Sequence, residues 1–139
     1  MNKMSRSDVL LESIKLFYND EKNAQYLYDI LEKKKNISLR NLEWFITDYS
    51  KKKNLTYTTK KGTSFAVHCA YKSSLDGYSK KLFDPFCRTQ KFSYKIPGKE
   101  VTIQTTVAQL NFIKWCITNN IIEQVEQLNT TKHERNETI

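Results

Sequence analysis

The chain has 139 residues, enough for one domain with its own core, and 39% hydrophobic against 27% charged residues fits neither a membrane-embedded nor an intrinsically disordered protein. No apolar run reaches the roughly 18–20 residues of a membrane-spanning helix, and 3 Gly with 2 Pro exclude collagen-like and linker-rich classes. Lys and Arg total 23 against 15 Asp and Glu, a net charge of +8, which points to polyanionic partners without naming one.

Residues 1–6 read as a flexible N-terminus, 7–128 as a single α+β domain, and 129–139 as a polar flexible tail. Ser7 is the predicted cap of a first helix whose apolar positions Leu10, Leu11, Ile14, Phe17 and Tyr18 follow helical spacing, with Asn19-Asp20 ending it. A second runs from about Glu21 to Lys34, with Ala24, Leu27, Ile30 and Leu31 on one side and Lys33, Lys34 and Lys35 at the negative end of its dipole. Ser38 starts a third, directing Leu39, Leu42, Phe45, Ile46 and Tyr49 inward and Arg40, Trp44, Thr47 and Lys51 outward.

The period then changes. Leu55 to Thr59 favours a strand and Lys60-Lys61-Gly62 a turn; Phe65, Val67, Cys69 and Tyr71 then alternate, predicting a hairpin whose second strand runs through 71. Residues 72–89 read as a loop with one helical turn. A second hairpin is clearer: Phe92, Tyr94 and Ile96, then Pro97-Gly98, then Val101 and Ile103. Thr106 and Gln109 form a capping-box pattern before a long helix carrying Val107, Leu110, Ile113, Ile117, Ile121, Val125 and Leu128, with a break at Asn119-Asn120. The fold class is therefore α+β: three N-terminal helices, two antiparallel hairpins and a long C-terminal helix. Helices followed by a hairpin also suggest a winged-helix arrangement, with 38–53 as recognition helix and Lys60-Lys61-Gly62 as wing tip.

Charge is not spread evenly. Residues 51–99 hold 12 Lys/Arg and two acids, Asp76 and Asp84, while the rest of the chain is close to neutral. Basic residues there interleave with tyrosines, and lysine contacts phosphate while exposed tyrosine stacks on unpaired bases. The candidate nucleic-acid-binding set is Arg40, Trp44, Lys51, Lys52, Lys53, Lys60, Lys61, Tyr71, Lys72, Tyr78, Lys80, Lys81, Arg88 and Lys91, joined by Lys114 where the fold brings it alongside. Within Asp84-Pro85-Phe86-Cys87-Arg88 two readings compete: Arg88 holds a phosphate with Lys80 and Lys81, or Asp84 pairs with Arg88 while Phe83 and Phe86 anchor the loop.

Catalytic readings are weaker. His68, Cys69 and Cys87, with Asp84 or Cys116, are the metal-ligand candidates, but neighbours on a strand point to opposite faces, so buried structural cysteines are the expectation. A His68–Cys87 nucleophile pair has no supporting signature, and Gly62, Gly77 and Gly98 are too isolated to form a phosphate loop. Three cysteines without tight spacing and no apolar leader favour a reducing, intracellular compartment. No enzyme activity, cofactor or metal is expected.

Three stretches, 37–54 (ISLRNLEWFITDYSKKKN), 71–88 (YKSSLDGYSKKLFDPFCR) and 105–122 (TTVAQLNFIKWCITNNII), together resemble a small basic protein family of the nucleocytoplasmic large DNA viruses, the giant-virus group. The resemblance spans roughly residues 7–128, and Phe83-Asp-Pro-Phe-Cys-Arg88 is its most specific piece. It implies a viral source, in the host cytoplasm or viral factory or packaged in the virion, and no particular chemistry. The expected function is non-enzymatic, largely non-specific binding of DNA or RNA through phosphates. The alternative is a virion component or adaptor in a viral complex, with Trp44, Trp115 and the terminal helix as its interface.

Overall fold

The structure, a computed structural model, describes residues 5–33 and 37–137, with side chains through Asn129. Helix α1 (Arg6–Tyr18) starts earlier than Ser7: Ser5 is the cap, its hydroxyl accepting the Asp8 N–H at 3.1 Å while the Asp8 carboxylate accepts the Ser5 N–H at 3.3 Å. The capping box decides between the two serines, since it needs an acceptor three residues on and Ser7 is followed there by Leu10. Of the predicted flexible N-terminus, residues 1–4 lie outside the described residues, whereas Arg6 donates to the Gly77 carbonyl. Asp20 caps α2 (Glu21–Leu31), accepting from Lys22 and Asn23. That helix ends short of Lys34, with Lys33 left-handed at φ 56°; Lys34 and Lys35 lie outside the described residues.

The third predicted helix is present but not uniform. Ser38 caps α3 (Leu39–Trp44) by accepting the Asn41 N–H at 3.1 Å; a π-helical turn follows over Phe45–Tyr49, then α4 (Ser50–Lys53). Two hydroxyls back-bond at the irregularity, Thr47 Oγ1 within it donating to the Glu43 carbonyl at 2.9 Å and Ser50 Oγ just after it to that of Ile46. Such back-bonding competes with the regular ladder and bends helices. Asn54, left-handed at φ 48°, closes the helix.

Strands β1 (Thr56–Thr58) and β2 (Ser64–Ala66) pair antiparallel around Lys60-Lys61-Gly62, a loop that needs φ 84° at Gly62. The predicted strand does not continue to 71. Residues Val67–Tyr78 form helix α5, and α6 (Lys80–Phe83) follows, so most of the predicted 72–89 loop is helical too. The second hairpin is as predicted: β3 (Phe92–Ile96) faces β4 (Val101–Thr105) in the register Tyr94↔Ile103, and the Lys99 N–H returns to the Ile96 carbonyl at 3.2 Å across Pro97-Gly98. With Gly98 at φ 78° this is a type II turn.

Thr106 caps α7 (Val107–Thr118), but only half of the capping box forms, because the Gln109 side chain turns to Thr105 and Pro85. The helix breaks at Asn119 and Asn120 as expected, and α8 (Ile121–Glu137) then runs on as helix into the segment read as a polar tail. Residues Ala108, Leu110, Asn111, Phe112, Ile113 and Cys116 of α7 are all buried, which makes it the central helix, packed on α1, α2, α6 and α8. Two polar groups inside this core are satisfied by design of the sequence: Tyr18 donates to the Leu110 carbonyl at 2.8 Å and Asn111 to that of Leu82 at 2.9 Å.

The α+β class holds, but nothing supports a winged helix. The hairpin tip does not project: the Lys60 N–H is bound by Asn120 Oδ1 at 3.0 Å and its ammonium pairs with Glu123 at 3.2 Å, pinning it to α8. The π turn also breaks the face of the supposed recognition helix. One extra residue rotates everything beyond it by about 100°, so Lys51 leaves the line of Arg40 and Trp44 and turns towards α5.

Candidate nucleic-acid interface

All eleven lysines and arginines in the candidate set are exposed. Two have acidic partners, Lys52 with Asp48 at 3.3 Å and Lys60 with Glu123. Arg40, Lys51, Lys53, Lys61, Lys72, Lys80, Lys81, Arg88 and Lys91 have none among the described residues. The two acids of the segment do not compensate: Asp76 is exposed on α5, and Asp84 accepts the Phe86 N–H at 2.9 Å. The internal Asp84–Arg88 pair does not form.

Five of these cations fall in two places, Lys51 and Lys72 near His68, and Lys81, Arg88 and Lys91 around Thr89. Between α4 and α5, Lys51, Leu55, Thr56, His68 and Cys69 line a depression of about 200 Å³. His68 is held below its ordinary pKa by partial burial first and then by the charges of Lys51 and Lys72, so three basic groups converge here. Two further depressions adjoin at Thr89. One, about 420 Å³, has Lys81 on its wall; the other, about 360 Å³, has Phe86, Arg88 and Lys91. Lys114 does not join either group: it lies over the Phe17 ring at 5.5 Å and donates to Ser13 on α1.

The tyrosines correct the sequence reading. Tyr71 is only 7% exposed and sits among Phe83, Phe112 and Trp115, so it offers no face to a base; burial, with Asp84 and Glu43 nearby, pushes its hydroxyl up to about 12. Tyr78 is half-buried with its ring stacked on Phe83 at 5.6 Å. Tyr57 packs on Phe65 and donates to the Asn119 carbonyl. Both depend on the helix α5, which puts residues 71 and 78 on its inner side. Trp44 is 37% exposed, tilted against Tyr49 at 5.6 Å, whereas Trp115 is half-buried in the aromatic cluster. Phe86, at 47% exposed, reaches solvent beside Arg88 and Lys91, against the reading in which it anchors the loop.

The cysteines are also placed differently. Only Cys116 is buried; Cys69 is exposed on a helix rather than a strand, and Cys87 is intermediate. His68 and Cys87 line different depressions. Among the described residues no three His, Cys, Asp or Glu side chains meet at a point, and no helix is long and apolar enough to cross a membrane.

A profile described as "Family of unknown function (DUF7197)" matches residues 2–139. The chain belongs to the DUF7197 family. It is 41% identical over 125 residues to the uncharacterized protein L507 of Acanthamoeba polyphaga mimivirus, a match that takes in 85% of this chain. The resemblance to giant-virus proteins therefore stands, and the DUF7197 match extends it beyond residues 7–128. The chain spans about half the length of that relative, 48%. No solved structure matches it.

Proposed function

We propose that this DUF7197 chain is a non-enzymatic nucleic-acid-binding protein whose affinity comes mainly from phosphate contacts. The observation that carries the reading is the set of nine exposed lysines and arginines between Arg40 and Lys91 without acidic partners among the described residues. Surface cations without acidic partners among the described residues cost little to bring to a polyanion, and each phosphate neutralised releases counterions. With Tyr71 withdrawn into the core and Tyr78 covered on one side, phosphate contact outweighs tyrosine stacking.

The test is binding of labelled oligonucleotides at about 50 and 200 mM salt, a range over which six to ten phosphate contacts cost roughly 10³–10⁵ in affinity. A fall of at least tenfold is expected. Affinity that ignores salt, or no binding at the lower concentration, refutes the reading.

A second reading, a virion component or adaptor subunit, draws on α1. Val9 and Leu16 stand seven residues apart on that helix and are 56% and 72% exposed, and Trp44 adds an exposed ring on α3. Apolar residues left outside in this way suit a protein partner. Leu16→Glu would abolish such an association while leaving oligonucleotide binding unchanged.

A further inference from the structure

Phe86 is 47% exposed, while its neighbour Phe83 is fully buried and does the anchoring. The turn that carries Phe86 is fixed from both sides. The Asp84 carboxylate accepts the Phe86 N–H at 2.9 Å, and the Cys87 N–H donates to the Asp84 carbonyl at 3.1 Å. Pro85 is buried, its carbonyl held by Gln109 Nε2 from α7 at 3.2 Å. An apolar ring is thus presented to water on a backbone with little freedom. The depression beside it, about 360 Å³, carries Arg88 and Lys91 on its wall, and it meets the Lys81 depression at Thr89. Asp8 is the acid on these walls, and its carboxylate already accepts the Ser5 N–H.

We propose that Phe86 is a stacking platform for an unpaired nucleobase, with Arg88 and Lys91 contacting the phosphates on either side. The proposal rests on the polyanion reading above and adds a preference for single strands. Cations sharing a depression with an exposed ring match the alternation of bases and phosphates along a single strand; an apolar anchor for a protein would have no need of them. A duplex keeps its bases stacked on one another and cannot use the platform. Because the turn is already ordered, little freedom is lost on binding.

The experiment measures anisotropy of labelled oligo-dT, oligo-U and a DNA duplex with wild type, Phe86→Ala, Phe86→Trp and the double variant Arg88→Gln/Lys91→Gln. Phe86→Ala should weaken single-strand binding about 5- to 150-fold and change duplex binding less than twofold, while Phe86→Trp restores it. The double variant should weaken both and flatten the salt dependence. Equal losses on both strand types, or single-strand affinity unchanged in Phe86→Ala while the charge variant still weakens binding, overturns the stacking assignment alone. Absence of binding by wild type overturns the reading beneath it as well. Thermal melts of each variant establish that the chains compared are folded.

Discussion

Changing Tyr18 to Phe removes one oxygen from the centre of the molecule and nothing else. Tyr18 is fully buried, and its hydroxyl donates to the Leu110 carbonyl at 2.8 Å. That carbonyl lies inside α7 and keeps its helical donor, so the loss is close to the net value of one hydrogen bond, about 1 kcal/mol. For a chain of this size the melting temperature should fall by about 3–5 °C. Burial also holds the Tyr18 hydroxyl well above its ordinary 10, with smaller contributions from Cys116 and Tyr94. The native state therefore keeps its proton while the unfolded state releases one above pH 10, and stability declines as pH rises. From this site alone the decline reaches about 1.4 kcal/mol near pH 11, and phenylalanine is free of it. Wild type should thus be the more stable at pH 7, with the two curves crossing between about pH 10 and 11. Tyr57 and Tyr71, raised by the same cause, titrate equally in both chains and cancel. Urea unfolding followed by circular dichroism at pH 7 and at intervals from 9 to 11 measures the gap. A gap that stays constant with pH would mean Tyr18 is not sealed from water; no gap at pH 7 would mean its hydrogen bond contributes nothing.

Asn111→Ala should destabilise by about 1–3 kcal/mol, because it removes the buried donor to the Leu82 carbonyl and loosens α6 from α7; denaturant midpoints at constant slope check this. At Asn54, where φ is 48°, glycine should be neutral or mildly stabilising and valine should cost about 1–2 kcal/mol; a helix end that tolerates valine would contradict the left-handed cap. Lys72→Gln should raise the His68 pKa back towards its ordinary value, since the lysine charge is one of the causes holding it down, and nuclear magnetic resonance of the imidazole reports it directly. An unmoved titration would separate Lys72 from the α4–α5 depression.

Local chemistry made parts of this fold readable. The second hairpin has strict alternation, and Pro97-Gly98 supplies the two backbone angles a type II turn requires, so nothing competes with it. Residues 65–71 were ambiguous in a way that only packing resolves. Phe65, Val67, Cys69 and Tyr71 alternate, but Val67, Tyr71, Leu75 and Tyr78 also recur at helical spacing, and all four of the second set pack into the core whereas Cys69 of the first is exposed. Asp76-Gly77 obscured that pattern, although both lie on the exposed side where they interrupt no contact. The π turn left fainter signs. Leu42, Phe45, Ile46 and Tyr49 keep an α-helical spacing in sequence through the irregular turn itself, and the hint is Ser50, a polar residue buried because its hydroxyl finds the Ile46 carbonyl. For the candidate interface, charge was legible because lysines seldom bury, whereas an aromatic's place depends on which face of an element it occupies. Tyr71 is accordingly buried on the inner face of α5, and Phe86 is exposed on its turn.

The ring cluster has an optical consequence. Trp115 lies within 5.7–6.1 Å of Phe65, Tyr71 and Phe83, while Trp44, the chain's other tryptophan, borders water. Their emission should therefore divide, Trp115 to the blue, and Trp44 to the red and open to collisional quenchers. One follows the interior and the other the surface of α3, so a single unlabelled sample can distinguish an event at Trp44 from the loosening of the core around α7.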